Sequence, residues 1–207
     1  MKNSKMNLAK RALVIAALTG VYLLWMGVTP STSQQSLKDS RLERALQEAR
    51  RVSDDLGEEV RRLLLKEIER GGFAGAVRVC SKLAQEVTGR FNLETGHSVR
   101  RVSLKHRNPK NVPDEYERRK LEEFDLLNRQ KKLEKEHVEG VTEEGRQYLR
   151  YMKPLLIVPL CLTCHGPKEN IPQEVKAILS EKYPDDRATG FLVGEVRGAI
   201  SARIVLP

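Results

Sequence analysis

Val99-Arg-Arg-Val-Ser-Leu104 reads as a short strand, and it sits between stretches whose apolar spacing is helical. Upstream, Leu42, Leu46, Ala49, Leu56, Val60 and Leu63 recur at steps of three and four or their sums. That spacing predicts a long amphipathic helix, stopped by Gly71-Gly72. A second helical pattern runs through Phe73, Val77, Cys80, Ala84 and Val87, with Arg78, Lys82, Gln85 and Glu86 on the opposite side, so Cys80 is expected on the inward face. Downstream, Asn108-Pro-Lys-Asn-Val-Pro113 is a loop because its prolines break regular pairing. Asp114 to Arg129 follows as a helix with Tyr116, Leu121, Phe124 and Leu127 turned inward, and Leu155 to Val158 and Leu192 to Val205 are the remaining strand candidates. Strands mixed with helices, without a regular βαβ alternation, predict an α+β fold with an antiparallel sheet.

The chain has 207 residues, of which 40% are hydrophobic and only 5% aromatic, so one domain with an accessory element is expected, its core built on Leu, Val, Ile and Ala. Residues 1–33 form an export segment with its linker. Lys2, Lys5, Lys10 and Arg11 precede the uncharged run Ala12 to Val28, whose length lies between a cleaved apolar region and a spanning helix. Trp25 near its far end suits an interfacial belt, and the positive flank keeps the N-terminus in the cytoplasm. An uncleaved anchor is preferred to a cleaved signal, and the rest of the chain is expected on the periplasmic or other extracytoplasmic side of the membrane. Residues 34–71 are the amphipathic helix. Ser53 and Glu67 interrupt its seven-residue repeat, so docking on its own domain is preferred to a homodimer through this helix.

The formal charge of +9 suggests nucleic acid at first sight. Beyond residue 33, however, 33 basic and 28 acidic residues leave +5, interspersed as in Arg41-Leu-Glu-Arg44, and no basic stripe emerges. A nucleic-acid partner is excluded on that ground.

Cys161-Leu-Thr-Cys164-His165 carries the chemistry. Two thiols at this spacing can add to the two vinyl groups of one haem, and the adjacent histidine places an imidazole under the iron. A zinc site would want a second ligand pair, and a thioredoxin-like redox pair would want a βαβ frame. The expected cofactor is therefore one covalently bound haem c, with Cys161 and Cys164 as its thioether residues and His165 as an axial ligand.

Cys80 is then left unpartnered by sequence in an oxidising compartment. It is either a small buried hydrophobe or the sixth iron ligand, because thiolate binds haem iron strongly. His97, His106, His137 and Met152 are the other candidates: His97 lies in a turn, His106 in a basic loop, His137 after a solvated charge run, and Met152 just before Pro154.

With these residues in view, the sequence resembles a family of monohaem c-type proteins with a PAS-like haem domain. Its members are soluble or anchored proteins in photosynthetic microbes and the exported sensor halves of bacterial signalling proteins. The resemblance spans roughly Phe73 to Leu206 and is carried by four blocks in order: Ala76 to Cys80, Val99 to Asp114, Cys161 to Gly166, and Tyr183 to Gly190 with Gly194 to Ser201. It implies an antiparallel sheet flanked by helices over residues 72–207, and axial ligation by His165 and Cys80. Arg100, Arg101 and Arg107 are candidates for the haem propionates, since guanidinium pairs carboxylates bidentately, or else are solvated strand and loop charges. The sequence stops after Ile204-Val-Leu206 with no kinase, cyclase or methyl-accepting segment, so any signalling output is expected from a separate partner. The expected role is a redox or gas sensor module, with a one-electron carrier as the alternative. An enzyme is not expected, because two protein ligands close the iron and no distal acid or base can be assigned.

Overall fold

A computed structural model describes residues 32–206, with side chains from residue 39 onward apart from Cys80. The expected export segment and linker, residues 1–33, therefore lie outside the described residues up to residue 31. Among the described residues no helix is long and apolar enough to cross a membrane.

Helix α1 runs from Thr32 to Thr95 and is broken at Gly71 and Gly72. Gly72 has φ 64°, a left-handed conformation that a side chain would resist, so the glycine pair turns the helix instead of ending it. Before the kink, Ala45, Ala49, Val52 and Leu56 are buried against Val99, Leu149, Tyr151, Ile200, Ala202 and Ile204 of the sheet. The apolar stripe thus lies on the chain's own domain: Ala49 and Leu56 are buried and Leu46, Val60 and Leu63 pack against the cluster as expected, Ala45 and Val52 widen it, Leu42 is exposed, and the interrupting Ser53 and Glu67 are buried too. Residues 39–207 form one compact unit, so the boundary expected at residue 71 is a kink inside a helix.

The sheet has four strands, β1 (Ser98–Val102), β2 (His137–Glu143), β3 (Arg146–Leu156) and β4 (Val196–Val205), in the order β1-β4-β3-β2. Every neighbouring pair is antiparallel. The expected α+β class holds. The strand expected at Leu155 to Val158 is the tail of the longer β3, and β4 begins at Val196 rather than Leu192. Neither β2 nor most of β3 had been expected.

Helix α2 (Glu115–Arg129) covers the other face of the sheet, where Leu121 and Phe124 pack with Val102, Met152, Val196 and Ala199. Asp114 and Glu117 form a capping box at its start, each side chain accepting the other's backbone N–H at 2.7 and 2.8 Å. Beyond β3 come the short helix α3 (Leu162–His165) and α4 (Gln173–Lys182), before the chain returns as β4 between β1 and β3.

Candidate haem site

Cys161, Cys164 and His165 all line one cavity of about 390 Å³, inside the range of roughly 300–1,000 Å³ usual for cofactor pockets. Both arms of α1 supply its apolar wall: Val60, Leu64 and Ile68 before the kink, Phe73, Ala76 and Val77 after it, with Leu155, Leu156 and Leu160 from the end of β3 and beyond. The cysteines are half-buried thiols. Leu162 and Cys161 pack on Ile157, Ala188 and Phe191, and Cys164 packs with Val77 and Tyr183 beside Ile171, Val175 and Leu179.

The motif is held in one tight turn. Pro159 opens a 3-10 turn that ends at Cys161, and the next four residues make α3. Gly166 closes it: its N–H bonds the Leu162 carbonyl at 2.9 Å, and a Cβ there would come within 2.6 Å of that oxygen. The 186–191 segment then grips the motif, Gly190 N–H bonding Gly166 O at 2.8 Å and Phe191 N–H bonding His165 O at 3.0 Å.

His165 Nδ1 lies 2.7 Å from the carbonyl oxygen of Ala188, which fixes Nδ1 as the protonated nitrogen. Burial holds the imidazole pKa well below the ordinary value, Arg197 and Arg107 push it further down, and the Ala188 bond opposes them. The ring is therefore neutral at physiological pH, with the Nε2 lone pair available to a metal. Phe191 meets it edge-on at 6.4 Å between centroids.

Arg101, Arg107 and Arg197 also line the cavity. Arg107 is paired with Asp186 at 3.0 Å. Arg197 donates to Ser103 Oγ at 2.7 Å, yet its Nε has no hydrogen-bond partner, and burial with Arg107 nearby pushes its pKa down to about 10. Such a crowd of cations beside an apolar slot suits a ligand that is a flat hydrophobe carrying carboxylates. Haem has that chemistry, and the donor set fits it: two thiols three residues apart, a neutral imidazole beside the second, and guanidinium groups for the propionates.

Of the expected propionate contacts, Arg101 and Arg107 reach the cavity and Arg100 does not. Successive residues of a strand point to opposite faces, so Arg100 lies on the α2 side, donating to the Val112 carbonyl and standing 3.7 Å from Glu117. Arg197, not among the expected residues, lines the cavity as well. Among the alternative axial candidates, Met152 is wholly buried on the α2 side, His137 sits on β2 with Nε2 3.3 Å from Glu139, and His97 lies 3.6 Å from Glu48. Neither these three nor His106 lines the cavity. His137 opens β2 directly after the charged Glu134-Lys-Glu136 run. Position 80 falls on α1 between Val77 and Ala84, both of which line the cavity; the Cys80 side chain lies outside the described residues.

A family model, Tll0287-like, matches residues 32–205. The chain belongs to the Tll0287-like family. Among solved structures it is similar to the cyanobacterial haem protein Tll0287, at 25% identity and a TM-score of 0.57 over 74% of this chain and 92% of that one. No curated protein matches.

Proposed function

We propose that this chain is an exported monohaem c-type protein, its PAS-like domain serving as a redox or gas sensor module. The observation that carries the reading is the convergence of Cys161, Cys164, a neutral His165 with Nδ1 already satisfied, and three arginines on one apolar cavity. The solved relative is a haem protein, which supports the same cofactor here.

Haem c, when bound, supplies a one-electron ferric/ferrous couple and an iron able to take a small gas. Cys161, at the N-cap of α3, and Cys164, within it, would hold it by thioethers. His165 offers Nε2 as the proximal ligand while Ala188 fixes its tautomer and ring angle. Arg101 and Arg197 would neutralise the propionates, and the apolar α1 wall would exclude water from the macrocycle. Cys80, the second ligand that the resemblance implies, would as a thiolate favour ferric iron and leave no open site for catalysis in the oxidised state. A sensor would give up one axial residue on reduction or on carbon monoxide binding; a carrier would keep both.

Low-temperature electron paramagnetic resonance of the wild type and Cys80→Ser, with an optical redox titration with and without carbon monoxide, tests this assignment. A low-spin thiolate-type ferric signal lost in Cys80→Ser supports it, and identical signals in the two proteins refute the ligand. Unchanged axial ligation throughout the titration turns the role from sensor to carrier. The export reading is tested by fractionating the full-length chain: membrane retention supports the anchor, and a soluble periplasmic form beginning near Gln34 shows a cleaved signal.

A further inference from the structure

One ion pair ties the loop after β1 to both halves of the proximal site. Arg107 Nε donates to Asp186 Oδ2 at 3.0 Å, and each side chain is only 12% exposed. The Nη2 of the same guanidinium donates to the carbonyl of Cys164 at 2.6 Å and reaches the carbonyl of Ala188 at 3.4 Å. Asp186 uses its other oxygen to accept the Ala188 N–H at 2.8 Å. Ala188 O is also the acceptor for His165 Nδ1–H. One carbonyl oxygen therefore carries two donors, an imidazole and a cation, and the cation is neutralised by a carboxylate that also fixes the residue bearing that carbonyl.

We infer that Arg107 and Asp186 are positioning residues that set the strength of the His165 Nδ1–H bond, and through it how much electron density Nε2 gives the iron. This deepens the haem reading above and rests on it. A metal-bound histidine becomes a stronger donor when its second nitrogen bonds a good acceptor. A bare guanidinium beside the Ala188 oxygen would draw density from that acceptor; the Asp186 carboxylate offsets it. Asp186→Asn keeps an oxygen for the Ala188 N–H and removes the charge, so the imidazole donates less and ferric iron loses support. Arg107→Gln keeps an amide donor for the Cys164 carbonyl and removes the competing cation, so it acts in the opposite direction.

The test uses the holoprotein from a host that matures c-type cytochromes. Two quantities are read: the reduction potential, and the hyperfine-shifted Nδ1–H proton of His165 in the ferric protein. Asp186→Asn is expected to move the ferric/ferrous equilibrium about tenfold toward ferrous, 59 mV upward for a one-electron couple, and to speed exchange of that proton with solvent. Arg107→Gln should shift both readouts the other way, and Asp186→Glu should restore the wild-type values. Arg101→Gln, which removes a cavity cation outside this pair, should move the potential and leave the proton unchanged. A potential shift in Asp186→Asn without any change at the proton overturns the inference in favour of plain through-space charge, and no change in either readout overturns it outright. If Asp186→Asn does not fold, Arg107→Gln decides: slower exchange of the Nδ1–H proton together with a lowered potential supports the inference, and a lowered potential with an unchanged proton overturns it. Haem that can be extracted from the wild type would instead refute the covalent reading beneath, and this inference with it.

Discussion

Asp114→Ala removes two supports at once, and the geometry sets the cost. The carboxylate caps α2 by accepting Glu117 N–H at 2.7 Å, and its other oxygen accepts Arg150 Nη2 at 2.8 Å. Losing an N-cap costs about 0.5–2 kcal/mol. A hydrogen bond to a charged partner is worth about 1.5–3 kcal/mol. Asp114 is 48% exposed, though, so solvent screening brings the ion pair nearer ~1 kcal/mol. Arg150, only 7% exposed, also keeps Glu143 at 3.2 Å. The expected loss is therefore about 2–3 kcal/mol at pH 7, a fall in melting temperature of roughly 5–10 °C for a chain of this size. Burial raises the Asp114 pKa, but the Glu117 N–H and Arg150 outweigh it and hold the group below its usual value. A lowered carboxylate pKa means stability that is fully present above the unfolded value of about 3.9 and is lost as pH falls through the folded one. The wild-type advantage should thus stay level from neutral pH to about 4 and close in stronger acid. Urea unfolding followed by circular dichroism across that range measures it, with Asp114→Asn expected near half the loss because an acceptor for Glu117 remains. A cost under ~0.5 kcal/mol at pH 7, or a gap that persists unchanged in acid, refutes the reasoning.

Changing Cys161 or Cys164 alone to Ala should weaken haem retention on a denaturing gel, and changing both should abolish it; full extraction of haem from the wild type by acidified acetone would contradict the thioether assignment. Gly166→Ala brings a Cβ within 2.6 Å of the Leu162 carbonyl oxygen, so the α3 turn must open. The expected result is less haem incorporated per chain, with the unfolding midpoint of the far-UV signal changed by no more than a few degrees. Arg197→Met removes a buried cation whose pKa is already depressed by its surroundings. It should weaken the holoprotein more than the Cys161→Ala/Cys164→Ala double variant that carries no covalent haem, a difference read from paired thermal melts; equal losses would mean that Arg197 serves the protein alone.

Helix α2 and the loop before it were legible because the signals are local. Pro109 and Pro113 mark the loop, and Asp114 to Arg129 is an unbroken run of helix formers with Leu121 and Phe124 on one face. The α1 stripe was legible in period and phase apart from Leu42, which stays outside, while the small Ala45 and Val52, not read as part of it, lie flat on the sheet beside Ala49 and Leu56. Strand β3 was hidden because it is central and buried on both faces, so Tyr148 to Met152 show no alternation, and because Arg150 within it is buried by pairing with Asp114 and Glu143. Helix α4 was missed although Val175, Ile178 and Leu179 carry a helical spacing that would have found it. At the site, the adjacent Cys161, Cys164 and His165 were readable at once. Arg197 and Asp186 were not singled out, because what brings them to His165 is the return of β4 beside β1 and a loop closing over α3, contacts between segments far apart in the chain. Choosing between Arg100 and Arg101 needed the face of β1, which the pair Arg-Arg does not reveal.

The double-glycine kink makes one helix both floor and wall: its first arm seals most of one face of the sheet, and the two arms together line the slot. Trimming the chain to the stretch after Gly72 would therefore strip Ala45, Ala49, Val52 and Leu56 from one side of the sheet, uncovering much of Val99, Leu149, Ile200, Ala202 and Ile204. A shortened gene product of that kind would be sticky and short-lived instead of a minimal haem module. The smallest fragment worth expressing starts near Asp39, where the compact unit begins, and a reporter or surface tether joined there would leave both arms intact.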